Sequence, residues 1–199
     1  MHVRKQNAWK GPLFDPARLN SEAGRKELLQ LAGRYYKVTH DAVRRYDKNH
    51  LIMGDRYEAR APLPDEVVRA AMPYVDVLSF QCFGGAKIIN EKLSYWAKFS
   101  GKPILLADSS VRKKAAPSPR PHEPHHQDPQ GYADTMRAIQ QIPECVGFHL
   151  CGAYVCNRVR RYGLRDEQDR IDADAVKGIT KINKETTRWV GQSTQEKPR

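Results

Sequence analysis

Asp108 closes an uninterrupted apolar run, Ile104-Leu105-Leu106-Ala107, and is followed at once by Ser109 and Ser110. A run without polar alternation suits a strand of a parallel sheet covered on both faces. A carboxylate at the C-terminal tip of such a strand is where α/β barrels keep their chemistry. Two roles stay open for Asp108, a catalytic group or a strand-end cap. Polar residues end three further apolar runs in the same way. Asp55, Arg56, Tyr57 and Glu58 follow His50–Gly54, Gln81 follows Val75–Phe80, and His149 and Tyr154 lie in and just after Val146–Cys151. Tyrosine offers a stacking face, and amides, imidazoles and hydroxyls offer hydrogen bonds to a polar ligand. Tyr57, Gln81, His149 and Tyr154 are therefore candidates to line a binding site, against a plainer structural role for each. Asp55 and Arg56 also read as an internal ion pair fixing their loop.

The elements that would carry these tips follow a regular order. A helix capped by Asn20 or Ser21 runs to about Tyr46, with Leu28, Ala32, Tyr35, Thr39, Ala42 and Tyr46 on one face. A short strand at His50–Gly54 precedes a helix over Asp65–Met72. A strand over Val75–Phe80, a helix over Ile88–Phe99 and the strand of Asp108 come next. A helix over Tyr132–Ile142, a strand over Val146–Cys151 and a final helix complete the series. Alternation of strand and helix predicts an α/β fold with a parallel sheet. Four polar strand tips at one mouth predict a barrel-type arrangement.

Segments 1–20 and 191–199 read as an irregular N-terminal stretch and a disordered tail, leaving 21–190 as the folded domain. The proline-rich stretch 111–130 reads as a mobile loop, and its His122, His125 and His126 as solvated side chains rather than a metal site. Asn157 and Arg158 open an arginine-rich loop in which Arg158, Arg160, Arg161 and Arg165 precede Asp166, Glu167 and Asp169. A charge network stapling that loop is the simpler reading. Arginines lining the mouth would instead favour a sulfated or uronic-acid glycan.

Composition narrows the partners. The chain has 199 residues, 40% of them hydrophobic, and a formal net charge of +11. No apolar run approaches the ~20 residues needed to cross a bilayer, so no membrane partner is expected. The first residues lack the apolar core of a signal peptide, which leaves the compartment open. The basic blocks are short and have no interleaved aromatics, which argues against nucleic acid. The cysteines at 82, 145, 151 and 156 form no CxxC pair, and no glycine-rich loop follows any strand, so neither a metal nor a nucleotide cofactor is expected.

YYKVTHDAVRRYDKNHLIMGDRY, VDVLSFQCF, GKPILLADSS and VGFHLCGAYVCNRVRRYGLRDEQDR together resemble the fourth helix and the fifth to eighth strands of retaining TIM-barrel glycoside hydrolases of the largest clan. The flavour is that of the agarase-like and β-galactosidase-like branch. The resemblance covers roughly residues 25–190 and implies the C-terminal half, about strands 5–8, of a (β/α)8 barrel. It also implies an enzyme hydrolysing O-glycosidic bonds of a polysaccharide, galactan or agar among them, with Tyr57, Gln81, His149 and Tyr154 as the candidates to line a sugar subsite. In such enzymes the seventh strand carries the nucleophile, usually glutamate. Aligned on the KPIL stem, that position is Asp108, whose carboxylate lies about one methylene nearer the backbone. The acid/base of the clan belongs to an Asn-Glu pair on the fourth strand. Here Asn90-Glu91 sits instead at the start of the helix after the sixth strand, so the resemblance implies that the acid/base is missing from this chain. A complementary half-barrel or a second copy is the implied protein partner. Relatives of this kind are commonly exported. An inactive or carbohydrate-binding barrel remnant is the alternative.

Overall fold

The computed structural model describes residues 14–111, 125–151 and 162–193. Its contacts divide the chain into two compact units, 1–50 with 64–75 and 51–63 with 76–199.

The first unit is helical. Asp15 caps a 3-10 turn at Pro16–Asn20, and the Ser21 hydroxyl accepts from Gly24 N to start helix α1, Glu22–Tyr46. Gly24 is required there, because a Cβ would lie 2.0 Å from the Arg18 carbonyl oxygen. Helix α2, Asp65–Ala71, packs on α1, joined by the Arg25–Glu66 pair at 3.5 Å and the His40–Tyr74 ring contact. The predicted apolar face of α1 is partly open. Tyr35 and Tyr46 are exposed, and Tyr36 is the buried aromatic. The DKNH segment closes the helix: the Asp47 carboxylate accepts from Asn49 N and His50 N at 3.0 Å each and from His50 Nδ1 at 2.7 Å.

The second unit holds the sheet. Strands β1 (Arg56–Glu58), β2 (Leu78–Gln81), β3 (Ile104–Ser109) and β5 (Cys145–Leu150) are all parallel and lie in the order β1-β2-β3-β5. Helices α3 (Ala86–Ser100), α4 (Pro129–Gln140) and α5 (Ala173–Ser193) follow β2, β3 and β5. A second, two-stranded sheet pairs β4 (His125–His126) with β6 (Tyr162–Gly163). Gly101 ends α3 at φ +62, a left-handed turn that glycine adopts without strain, and its N–H returns to Ala97 O. Leu78, Phe80, Ile89, Leu93, Ile104 and Leu106 are fully buried, each worth roughly 1.5–3 kcal/mol over exposure. Phe80 stacks on Trp96 at 5.9 Å and meets Tyr57 at 5.4 Å.

Three expectations are corrected. The first strand is not His50–Gly54 but Arg56–Glu58. Gly54 at φ +62 breaks the extended run, and Ile52 is held outside the ladder by Asp76, whose carboxylate accepts from Ile52 N and whose N–H donates to Ile52 O, both at 2.7 Å. Of the loop expected over 111–130, residues 112–124 lie outside the described residues, and its two ends belong to the fold. Val111 and Gln127 are buried, Asp128 N donates to Val111 O, and α4 begins at Pro129 with Asp128 as its cap. The final helix extends to Ser193, past the expected boundary at 190.

Candidate functional site

The polar strand tips gather on β1, β2 and β3, and their registers put Glu58, Gln81 and Asp108 in one row across the sheet. Asp108 is buried, at 7% exposure. Its Oδ2 lies 3.0 Å from Nη1 of Arg56, which reaches across β2 from a strand about 10 Å away. Its Oδ1 is buried and accepts no hydrogen bond from any described residue. Arg56 therefore pairs with Asp108 and not with its neighbour Asp55, so the expected Asp55–Arg56 pair is replaced by one spanning the sheet. The guanidinium is half exposed, so it links the buried carboxylate to the open side of the sheet.

Gln81 Nε2 donates to Glu58 Oε2 at 2.8 Å, and Arg60 N donates to Glu58 Oε1 at 3.0 Å. Both carboxylate oxygens of Glu58 are thus engaged, and they fix the Gln81 amide beside Asp108. Glu58 has no role in the expectations from sequence. Its signal was its spacing: two residues after Arg56, it shares that residue's face of the strand. Beneath this row, Ser109 Oγ donates to Cys82 O, and Cys82 N donates to Asp108 O. Burial, with the Glu58 charge adding to it, pushes the Cys82 thiol up to about 11. It stays a neutral thiol at neutral pH and offers no nucleophile.

His149 stands exposed on β5, with Nδ1 2.9 Å from the Ala107 carbonyl oxygen. Tyr57 points the other way, buried against Phe80, and so lines the helix-side core instead of a sugar subsite. Asp55 is half-buried just before β1. Tyr154, Asn157 and Arg158 lie outside the described residues, as do Arg160, Arg161, Cys156 and His122. Farther along the same loop, Arg165 pairs with Asp169 at 2.9 Å and Arg170 with Asp166 at 2.6 Å. Burial raises the Asp166 carboxyl, but the N–H groups and guanidinium of Arg170 and the N–H of Gln168 outweigh it and hold the group below its ordinary value. A cavity of about 370 Å³ opens beyond the tips of β2 and β3, lined among others by Phe83, Gly84, Ser110, Val111, Asp134 and Thr135.

No protein-family model and no curated protein matches the chain. Solved structures do. The agarase AgWH50C superposes with a TM-score of 0.69 at 22% identity over 82% of this chain. PfGH50B gives 0.67 at 22% over 83%, and an exo-β-agarase 0.66 at 26% over 80%. In fold, this chain is similar to a part of these proteins. It spans 24%, 25% and 23% of their respective lengths, about a quarter in each case. The four-stranded parallel sheet with its helices is accordingly a partial TIM barrel, and the tips of β1, β2, β3 and β5 mark the end where such barrels carry their sites.

Proposed function

We propose that this chain is a sector of a glycoside hydrolase of agarase type, in which Asp108 is the nucleophile of a retaining reaction on a galactan or agar-like polysaccharide. The observation that carries this reading is a buried carboxylate at the tip of β3, held by Arg56, in a fold similar to part of the agarases. Arg56 holds the carboxylate in place across the sheet. The carboxylate attacks the anomeric carbon, the glycosidic C–O bond breaks, and the leaving oxygen takes a proton from a general acid. Water then opens the glycosyl-aspartate ester, giving its proton to the same group. Retaining chemistry needs the two carboxyl groups ~5–5.5 Å apart. Glu58 does not fit, since two strand spacings put it about 10 Å from Asp108 along the sheet and its oxygens already serve Gln81 and Arg60. The proton donor in this proposal lies on a complementary set of strands outside this chain. Gln81 and His149 flank the sugar, and the arginines after position 157 would favour an anionic glycan.

One observation favours a second reading, a carbohydrate-binding module without turnover: Asp108 is 7% exposed and already paired. A 2-deoxy-2-fluoro-galactosyl fluoride, which traps retaining nucleophiles, separates the two. The glycosidase reading expects an ester on Asp108, found by peptide mass spectrometry and lost in Asp108→Asn. Galacto-oligosaccharide binding with no ester, unchanged by Asp108→Asn, would establish the binding module instead.

A further inference from the structure

Ala107 is passed over in both registers of β3. Leu106 pairs with Phe80 on one side and Phe148 on the other, and the next pairs are Asp108 with Gln81 and Ser109 with Leu150. It is the extra residue of a bulge, a device found more rarely in parallel than in antiparallel pairs and used to re-aim a side chain. Strict alternation would point Asp108 to the side of Ile104 and Leu106, which are buried under the helices. The bulge reverses that, so Asp108 meets Arg56 on the other face. Opposite the bulge, between the paired Phe148 and Leu150, stands His149. Its neighbour Phe148 packs on Tyr132 of α4, which leaves His149 on the Asp108 side of the sheet. The Nδ1···O distance to Ala107 is 2.9 Å. A carbonyl oxygen can only accept, so Nδ1 carries the proton and donates.

We propose that His149 is a positioning residue: its Nδ1–H bond to the Ala107 carbonyl holds the β3 bulge in the form that turns Asp108 to the site face. The side chain acts through the backbone of the residue before Asp108 and needs no contact with the carboxylate. The catalytic meaning of this bond rests on Asp108 being the reacting group, but the bond itself does not. Asparagine can replace it, since Asn Nδ2 sits near the place of His Nδ1 and also donates; leucine cannot.

The test uses isotope-labelled protein in solution. Long-range proton–nitrogen correlation of neutral His149 is expected to show a protonated Nδ1 and a pyridine-like Nε2. His149→Leu is expected to shift the Asp108 carboxyl carbon resonance and the Arg56 side-chain signals, and His149→Asn to restore them. Val146→Thr, on an exposed β5 residue, should leave them unmoved. An unprotonated Nδ1, or equal Asp108 shifts in the leucine and asparagine variants, would overturn the proposal. Should the leucine variant not fold, the tautomer and the asparagine variant decide. If no ester forms on Asp108 while these shifts behave as stated, the glycosidase reading falls and the role of His149 stands.

Discussion

Removing Arg56 and removing Asp108 perturb one ion pair in different ways. Arg56→Ala leaves a carboxylate at 7% exposure with neither oxygen partnered among the described residues. Breaking a fully buried pair costs about 3–5 kcal/mol. Because the arginine is half exposed and water can reach its place, about 1–2 kcal/mol is expected here. Asp108→Asn removes the charge, leaves a solvated guanidinium and should cost under about 1 kcal/mol. Denaturant unfolding of the two variants should rank Arg56→Ala as the less stable. The strand positions of Asp108, Gln81 and His149 could be read from the chain, because the first two end apolar runs and the third lies within one. The partner of Arg56 could not, since the ion pair spans 52 residues and depends on which strands become neighbours. Tyr57 was misassigned for a local reason: its place after Arg56 fixes its face, and in β1 that face is the core.

At the scale of elements, capping signals and the 3.6-residue period located α1 and α3 to within two residues, whereas β1 was displaced. Its position follows from the Gly54 turn and the Asp76 clamp on Ile52, features that periodicity does not encode. Helix α1 offers a paired test on two glycines. Gly24→Ala drives a Cβ into the Arg18 carbonyl, while Gly33→Ala meets nothing within 4 Å. The first should destabilise, and the second should stabilise by about 0.5–1 kcal/mol through helix propensity. Thermal midpoints of the two variants check both signs. The end of α1 gives a pH test. The backbone N–H of His50, then that of Asn49, with the His50 ring, hold the Asp47 carboxyl below its ordinary value. A lowered value in the fold means a contribution fully present above the unfolded pKa of about 3.9 and lost as pH falls below it. The stability gap between the native protein and Asp47→Ala should therefore be constant near neutrality and close as the solution is acidified below about pH 4.

For the whole molecule, the sheet order carries the consequence. β2 and β3 are bonded on both sides, while β1 and β5 are edges of the described sheet. Edge strands present unpaired backbone groups and open at lower free energy than central ones. Amide hydrogen exchange should be slowest in Leu78–Phe80 and Ile104–Leu106, faster in β5 and fastest in the three-residue β1. Adding a complementary set of strands, as the proposed glycosidase requires, should slow β1 and β5 and leave β2 and β3 little changed. Uniform protection of all four strands in the chain alone would contradict that order. The parallel sheet itself was legible from strand–helix alternation; its division from the helical unit was not, because that rests on contact density rather than on sequence pattern.

Ala107 also behaves as a one-codon insertion. Excising it would bring Phe80 opposite Leu106 and Gln81 opposite Asp108 as consecutive pairs, a straight strand with the carboxylate still on its row. The reading phase of β3 would be mended and the chain shortened by a single step, but the imidazole of His149 would lose the carbonyl it serves. In that deletion background, replacing His149 should no longer disturb Asp108. The site would then tolerate at position 149 what the present strand does not.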